Sequence, residues 1–362
     1  MGMLVHICCS VDSSYYLRKL REEFPDEKLV GFFYDPNIHP YSEYYLRLMD
    51  ARRSCERLGI AFAEGEYDVS GWLEAVRGFE HEPEKGKRCT VCFDNRLEMS
   101  AREARKRGLD KVTTTLLMSP KKDLSTLQHV SNSLQKRYGL EFFVKDYRKN
   151  GGTQAQFALS KEEQNYHQNY CGCLFALRDQ RKDQGRICSE LMSPIGAEML
   201  PGSIEERVAM YEKRMELEDA GTPYKILRER VRNYRLLEAS VRIDGAVAAS
   251  FFLPEAKMGR SRQKLRVEWV QDGIAHANRD GVRLVSLERL NRELGSDYRS
   301  VKELIFNPPE YAAQQELKTK LVGMSGSLSP VAVVDRLPKE RFEIRMVTEF
   351  YEDTREFLVA LR

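Results

Sequence analysis

Met3-Leu4-Val5-His6-Ile7-Cys8-Cys9-Ser10-Val11-Asp12-Ser13-Ser14 begins as a short apolar run, breaks at two adjacent cysteines and leads into a segment that reads as a helix, Ser13–Glu23, with Tyr16, Leu17 and Leu20 at helical spacing. The alternation continues outward. Leu29–Tyr34 is a second apolar run, ended by the turn signal Asp35-Pro36-Asn37. Tyr44–Leu58 reads as a helix closed by Gly59, and Ile60–Ala63 as a third strand. A helix from about Cys89 to Lys106 ends at Gly108, and Lys111–Thr115 is the next strand. Asp123–Tyr138 reads as a helix that Asp123 caps and Gly139 stops, before a strand at Glu141–Lys145. Strands separated by helices imply parallel βαβ units, hence an α/β fold with a doubly wound parallel sheet. Ligands of such sheets bind beyond the carboxyl ends of the strands. The loop at Cys8-Cys9 is therefore expected on one edge with Phe33–Pro40 and Thr113–Pro120.

The length, 362 residues, suits two domains. The character changes near residue 190, so a catalytic α/β domain is expected over 1–189 and a smaller α+β domain over 190–362. In the second, Pro201–Leu217 and Tyr224–Glu238 look helical, while Val241–Phe252, Lys264–Val270 and Phe342–Phe350 look like strands. The basic stretch Lys257–Lys264 reads first as a solvated loop and second as an RNA-facing one. A net charge of +3 neither demands nor excludes a nucleic acid. No apolar run is long enough to span a bilayer, and the N-terminus lacks the basic start and long apolar stretch of a signal peptide. The expectation is a cytoplasmic protein without a membrane partner.

Eight cysteines are present. In a reducing compartment they are poor candidates for structural disulfides. Cys55 and Cys188 stand alone and read as small buried apolar residues. The other six form three close sets: Cys8-Cys9, Cys89-x-x-Cys92 and Cys171-Gly172-Cys173. Each has a plain reading as core packing, a redox pair at a helix start, or a loop accident. Together they point to metal, because thiolates in groups of four select iron–sulfur clusters or zinc. Cys89 and Cys92 lie one helical turn apart and can face one centre, and Gly172 permits the tight turn that brings its flanking sulfurs together. One [4Fe–4S] cluster takes four cysteines; two cysteines and Asp12 then remain for a second, mononuclear metal with open positions. Which four hold the cluster stays open at this point.

The loop Cys8–Ser14 resembles the S-G-G-x-D-S phosphate loop of ATP pyrophosphatases, which implies the adenine nucleotide alpha-hydrolase-like (HUP) type of sheet. Two thiols would crowd the phosphate and thiolates would repel it, so the loop looks refitted from phosphate to metal. A longer series of motifs resembles the cobalamin-independent epoxyqueuosine reductases (QueH). It comprises His6-x-Cys8-Cys9, Phe33-Tyr34-Asp35-Pro36-Asn37-Ile38-His39-Pro40, Gly86-Lys87-Arg88-Cys89-x-x-Cys92-Phe93 with Arg96-Leu97, Thr113-Thr114-Thr115-Leu116-Leu117 with Ser119-Pro120, Asp146-Tyr147-Arg148-Lys149, and Tyr166-x-Gln168-x-Tyr170-Cys171-Gly172-Cys173. It covers about residues 1–180. Many members of that family read C-C-x-P-C in the first loop, where this chain has Asp12 in place of a third cysteine. His167 and Asn169 also stand where basic residues often occur.

The resemblance implies reduction of the epoxide of epoxyqueuosine in tRNA to queuosine, the last step of queuosine biosynthesis. It implies a [4Fe–4S] cluster with an adjacent mononuclear iron, held by Cys8, Cys9, Asp12, Cys89, Cys92, Cys171 and Cys173, and an external electron donor. Asp12, Tyr34, His39 and Arg96 are the candidates for chemistry, the last three for proton supply or substrate placement, with support of the metal shell as the equal alternative. Tyr41, Tyr44, Tyr45, Arg47, Arg148 and Lys149 are candidate contacts to the anticodon loop, and the domain over 190–362 is a candidate clamp on the tRNA stem. Two rivals are a tRNA sulfurtransferase, which would need ATP, and a zinc- or cluster-carrying RNA-binding module without turnover.

Overall fold

A computed structural model describes residues 2–120, 122–194, 196 and 198–361. The chain divides into two compact units: residues 2–191, 207–226 and 358–361 form unit 1, and residues 192–206 and 227–357 form unit 2. A single cut at 189/190 is simpler than this division, in which the chain returns to unit 1 twice.

Unit 1 is built on β1 (Gly2–Ile7), β2 (Lys28–Phe33), β3 (Ala61–Glu64), β4 (Lys111–Thr114) and β5 (Glu141–Phe142). The sheet order is β3-β2-β1-β4-β5, and every pairing is parallel. The central strand β1 is buried along its whole length, as a strand covered on both faces must be, and its residues are accordingly apolar apart from His6. The helices are α1 (Ser10–Glu23), α2 (Tyr41–Arg57), α3 (Val69–Ala75), α4 (Lys87–Lys106), α5 (Leu124–Tyr138), α6 (Gly152–Glu162) and α7 (Leu174–Asp183). Asp123 caps α5, its carboxylate accepting from the Thr126 N–H at 2.7 Å, and Gly139 ends that helix in the left-handed region. Gly31 marks where α2 approaches the sheet closely: a Cβ there would lie 2.8 Å from the Cys55 sulfur. Cys55 is a buried core residue, as its isolation in the sequence implied, and burial pushes its thiol up to about 12.

Chain order decides where the site lies. From β1 the chain moves outward to β2 and β3, then returns to the other side of β1 as β4. The switch point therefore falls between the carboxyl ends of β1 and β4, and the next residues there are Cys8 and Thr115.

Unit 2 carries an eight-stranded sheet, in the order β7-β6-β13-β9-β10-β11-β12-β8. These are β6 (Tyr224–Ile243), β7 (Ala246–Ala248), β8 (Ser250–Phe252), β9 (Arg262–Gln271), β10 (Ile274–Ala277), β11 (Arg283–Ser286), β12 (Val331–Val334) and β13 (Arg341–Ala360). Its helices follow α8 (Ile204–Asp219): α9 (Leu287–Leu294), α10 (Val301–Phe306) and α11 (Tyr311–Val322). Leu290, Leu304 and Leu317 of these last three share a core with Val285 and Val333. The helix expected at Tyr224–Glu238 is instead the start of β6. Its Leu, Arg and Glu content favours a helix locally. Pairing with β13, more than a hundred residues later, overrides that preference, and Arg228 reaches Glu356 of that strand at 2.9 Å.

Candidate metal centre and active site

Cys8 leaves β1 with its N–H on the Thr115 hydroxyl at 3.1 Å, and its sulfur lies 3.4 Å from the same oxygen. Cys9 is the N-cap residue of α1, and one turn on Asp12 swings back beneath the pair. The Cys8 sulfur is 3.8 Å from the Cys9 sulfur and 3.6 Å from Asp12 Oδ2. Among the described residues this is the one set of three or more His, Cys, Asp or Glu side chains whose donor atoms all lie within 4.8 Å of one another. Asp12 Oδ1 is fixed by the Gln156 amide of α6 at 2.6 Å, leaving Oδ2 to the sulfurs. Burial lifts the Asp12 carboxyl to about 6, although both thiols and Gln156 donate to it. The Cys9 thiol is driven well above its ordinary value by its bond to Cys8, by burial and by the Asp12 charge. Burial thus opposes the Asp12 charge, and that charge opposes the Cys9 thiolate, effects that a bound divalent cation would reverse. The spacing fits one: sulfurs about 2.3 Å from a single tetrahedral ion lie about 3.8 Å apart.

The other four cysteines come from two segments. Cys89 and Cys92 lie in the first turns of α4, and Cys171 and Cys173 flank Gly172 in the loop that leads into α7. Gly172 has φ +102°, and a Cβ there would meet Ile38 Cγ1 at 2.8 Å and Arg47 Nη1 at 3.3 Å. Arg47 clamps this loop, donating to the Cys171 and Tyr170 carbonyls at 3.2 and 3.0 Å while its Nε holds Glu43 at 2.7 Å. The Cys171 sulfur accepts from Lys122 Nζ at 3.2 Å. Burial opposes its thiolate, but the Lys122 and Arg96 charges prevail and hold the thiol below its usual value. Trp72 Nε1 donates to the Cys92 sulfur and the Lys85 N–H to the Cys89 sulfur, both at 3.3 Å. Burial raises Cys89, Cys92 and Cys173, and the Cys171 charge raises each further. Cys89, Cys92 and Cys173 thus all feel the Cys171 charge, yet no three of the four have their sulfurs within single-ion spacing.

Cys8, Asp12 and Cys171 line one cavity of about 150 Å³, together with Asp35, Arg96 and Lys122. Arg96 and Asp35 form a buried ion pair at 2.6 Å. His6 Nε2 lies 3.7 Å from the same carboxylate, while burial pulls that imidazole down to about 4 and keeps it neutral. Of the residues proposed for chemistry from sequence, Asp12 and Arg96 are in the cavity wall; Tyr34 and His39 are not. The Tyr34 ring stacks on Phe32 at 6.1 Å. His39 rests on Trp72, bonds the Asn37 carbonyl at 2.8 Å, and receives the Tyr170 hydroxyl on its own carbonyl at 2.5 Å. Both order the loops that carry the wall.

Three of the anticodon-loop candidates have structural work instead. Tyr44 is buried against Phe33, and Arg47 is the loop clamp. Arg148 donates to the Ser119 and Lys122 carbonyls at 3.0 and 3.3 Å, which sets the Lys122 loop. Tyr41, Tyr45 and Lys149 keep exposed or half-exposed positions. Sequence reasoning missed Lys122, Asp35 and Gln156. A lysine after Ser119-Pro120 looks solvated, Asp35 reads as part of a turn, and α6 carries too weak an apolar period to announce itself.

Fold and site define an α/β protein with a soft, sulfur-rich donor pocket at the switch point of a parallel sheet, the setting of a thiolate-ligated redox centre. The family model for epoxyqueuosine reductase QueH matches residues 3–179. An epoxyqueuosine reductase QueH of Helicobacter pylori is 39% identical over 97% of this chain and 98% of its own length. Another, of Thermotoga maritima, is 38% identical over 51% of this chain and 95% of its own. Among solved structures, a U34-tRNA thiolase NcsA from Methanococcus maripaludis with its [4Fe-4S] cluster aligns with a TM-score of 0.34 at 14% identity, over 60% of this chain and 72% of that one. The chain belongs to the epoxyqueuosine reductase QueH family and is an oxidoreductase.

Among the described residues, no helix is long and apolar enough to cross a membrane.

Proposed function

We propose that this chain reduces the epoxide of epoxyqueuosine in tRNA to the alkene of queuosine in the cavity between Cys8, Asp12 and Cys171. We assign Cys89, Cys92, Cys171 and Cys173 to a [4Fe–4S] cluster, and Cys8, Cys9 and Asp12 to a single iron. The carrying observation is one sulfur–sulfur–carboxylate set at single-ion distance beside four further cysteines that are linked through the Cys171 charge and hold no such tight group of three. The sheet order supports a HUP-type scaffold, and a cytoplasmic location follows from the tRNA substrate.

The reaction takes two electrons and two protons, opens the epoxide and releases its oxygen as water. When bound, the cluster and the iron supply electrons and a Lewis acid, replenished by an external donor. The protein's own groups do the rest. Gln156 fixes one Asp12 oxygen and aims the other at the sulfurs. Lys122 compensates thiolate charge at the cavity wall, and we assign it to deliver a proton to the departing oxygen. The Arg96–Asp35 pair keeps a guanidinium in the wall without leaving its charge unpaired. Val11, Leu116 and Tyr170, all buried, give the cavity its apolar lining. The test is Asp12→Ala in protein purified without oxygen. Wild type should contain one more iron than sulfide per chain. The variant should lose that extra iron and its turnover, measured by mass spectrometry of tRNA nucleosides, while keeping the cluster absorbance. Full activity in the variant refutes the assignment.

A further inference from the structure

The β8 and β10–β12 part of the sheet of unit 2 is buried on both faces, whereas the paired stretch of β9 and β13 turns one face to the core and the other to solvent. Phe342, Ile344 and Met346 of β13 and Leu265 of β9 are buried, so the alternate residues of both strands face out. The antiparallel register places Arg341 opposite Arg266 and Arg345 opposite Arg262. Like charges directly opposite on a ladder destabilise a sheet. Glu343 and Glu238 offset the Arg345–Arg262 pair, whereas the Arg341–Arg266 pair has no ion-pair partner among the described residues and no rationale in the stability of the unit.

Neighbouring acids neutralise only part of this face. Glu343 is held by Arg262 at 2.7 Å and also feels the Lys264 and Arg242 charges, Glu238 is held by Arg345 at 2.8 Å, and Asp244 lies 3.5 Å from Arg336. Among the described residues, Arg242, Lys264, Arg266, Lys339 and Arg341 have no carboxylate within the 4.0 Å of an ion pair. All five are exposed, and all line one open recess on this face. Glu340 lines the same recess with Asp244 and Glu343, so three carboxylates stand among its five cations. Its apolar members, Leu265 and Phe342, are buried and offer nothing to insert into a lipid surface.

We infer that this recess and face bind the phosphate backbone of a structured RNA, the tRNA substrate of the reading above, on which the inference rests. Guanidinium and ammonium groups two strand residues apart stand about 7 Å from one another, a spacing that lets adjacent side chains reach adjacent phosphates. Guanidinium groups also meet phosphate through paired hydrogen bonds. The face lies outside the family match at residues 3–179, and the Thermotoga maritima reductase aligns over 95% of its length with only 51% of this chain. A sheet dispensable to the chemistry suits a role in holding the substrate.

The experiment uses the full chain, a Lys264→Gln/Arg266→Gln/Arg341→Gln variant and an Arg266→Lys/Arg341→Lys variant, with an unmodified tRNA transcript as probe. Removing three phosphate contacts should weaken binding roughly 10- to 100-fold near 0.1 M salt and flatten the log–log salt dependence by about 2 to 3. The lysine variant should keep the wild-type slope. The thermal midpoint of the glutamine variant should hold or rise, because a like-charge pair is removed. Wild-type affinity and slope in the glutamine variant overturn the inference, as does a loss confined to vesicles of anionic lipid. The transcript carries no epoxide, so its binding is independent of the chemistry. Salt-sensitive binding through this face without reduction of epoxyqueuosine would refute the reductase reading alone; reduction with an unchanged KM for tRNA in the glutamine variant would refute this inference alone.

Discussion

Gly172→Ala tests whether the Cys171-Gly172-Cys173 turn is held rigidly enough to present its sulfurs to a metal. Two costs follow from the geometry. Alanine must adopt φ near +102°, a region that costs about 1–3 kcal/mol for a residue with a Cβ. Its Cβ must also find room 2.8 Å from Ile38 Cγ1 and 3.3 Å from Arg47 Nη1. Neither neighbour can step aside. Ile38 is buried, with its N–H on the Asp35 carbonyl at 3.1 Å and its carbonyl on the Tyr67 hydroxyl at 2.5 Å. Arg47 is held by Glu43. Overpacking of this kind adds about 1–3 kcal/mol, for a total of about 2–6. The loop itself is the part that yields, and it carries two of the four cysteines proposed above to hold the cluster. Gly151→Ala is the control: φ there is +85° with nothing within 4 Å of the added carbon, so it carries the backbone cost alone. Iron and sulfide per chain should drop severalfold in Gly172→Ala and stay near wild type in Gly151→Ala. Hydrogen exchange at the Cys171–Leu174 amides should quicken only in the former. Equal iron content in the two variants would show that the contact with Ile38 and Arg47 does not govern the site.

Two further predictions concern the metal-free protein. His6 is held near 4 against an ordinary 6.5, so between those values the unfolded chain binds the extra proton. Its contribution is intact above about pH 6.5 and is lost as pH falls toward 4, by about 3 kcal/mol in all; denaturant midpoints from pH 7 to 4 should show this slope, and His6→Asn should flatten it. Lys122→Met removes the ammonium that keeps the Cys171 thiol low, so alkylation at Cys171 should slow at neutral pH and its profile should move to higher pH; an unmoved profile would assign the depression to Arg96 instead.

What the sequence disclosed and what it hid divide along a physical line. The strands and helices around β1 were readable because each has its own period and its own stop signal. Asp123 and Gly139 bracket α5 by local chemistry alone. The three cysteine sets were readable because sulfur in close pairs has few other uses in such a protein. The partition of the sulfurs was not, because it depends on distances set by segments 80 residues apart and more. Sequence separation would group Cys8 with any of the others, while the fold gives it Asp12 and Thr115. Arg47 and Lys122 were misread or passed over for the same reason. A cation on a helix or in a loop looks solvated until the fold brings it a partner, here the carbonyl of Cys171 and its sulfur. The failure at Tyr224–Glu238 is the same effect in a strand, with β13 as the distant partner. The positions that propensity and pattern misjudge are thus those whose role is set by remote contacts. In unit 1 they gather around Cys171, where Arg47 fixes the backbone and Lys122 sets the charge, so the groups least legible in the sequence are the ones that tune the site.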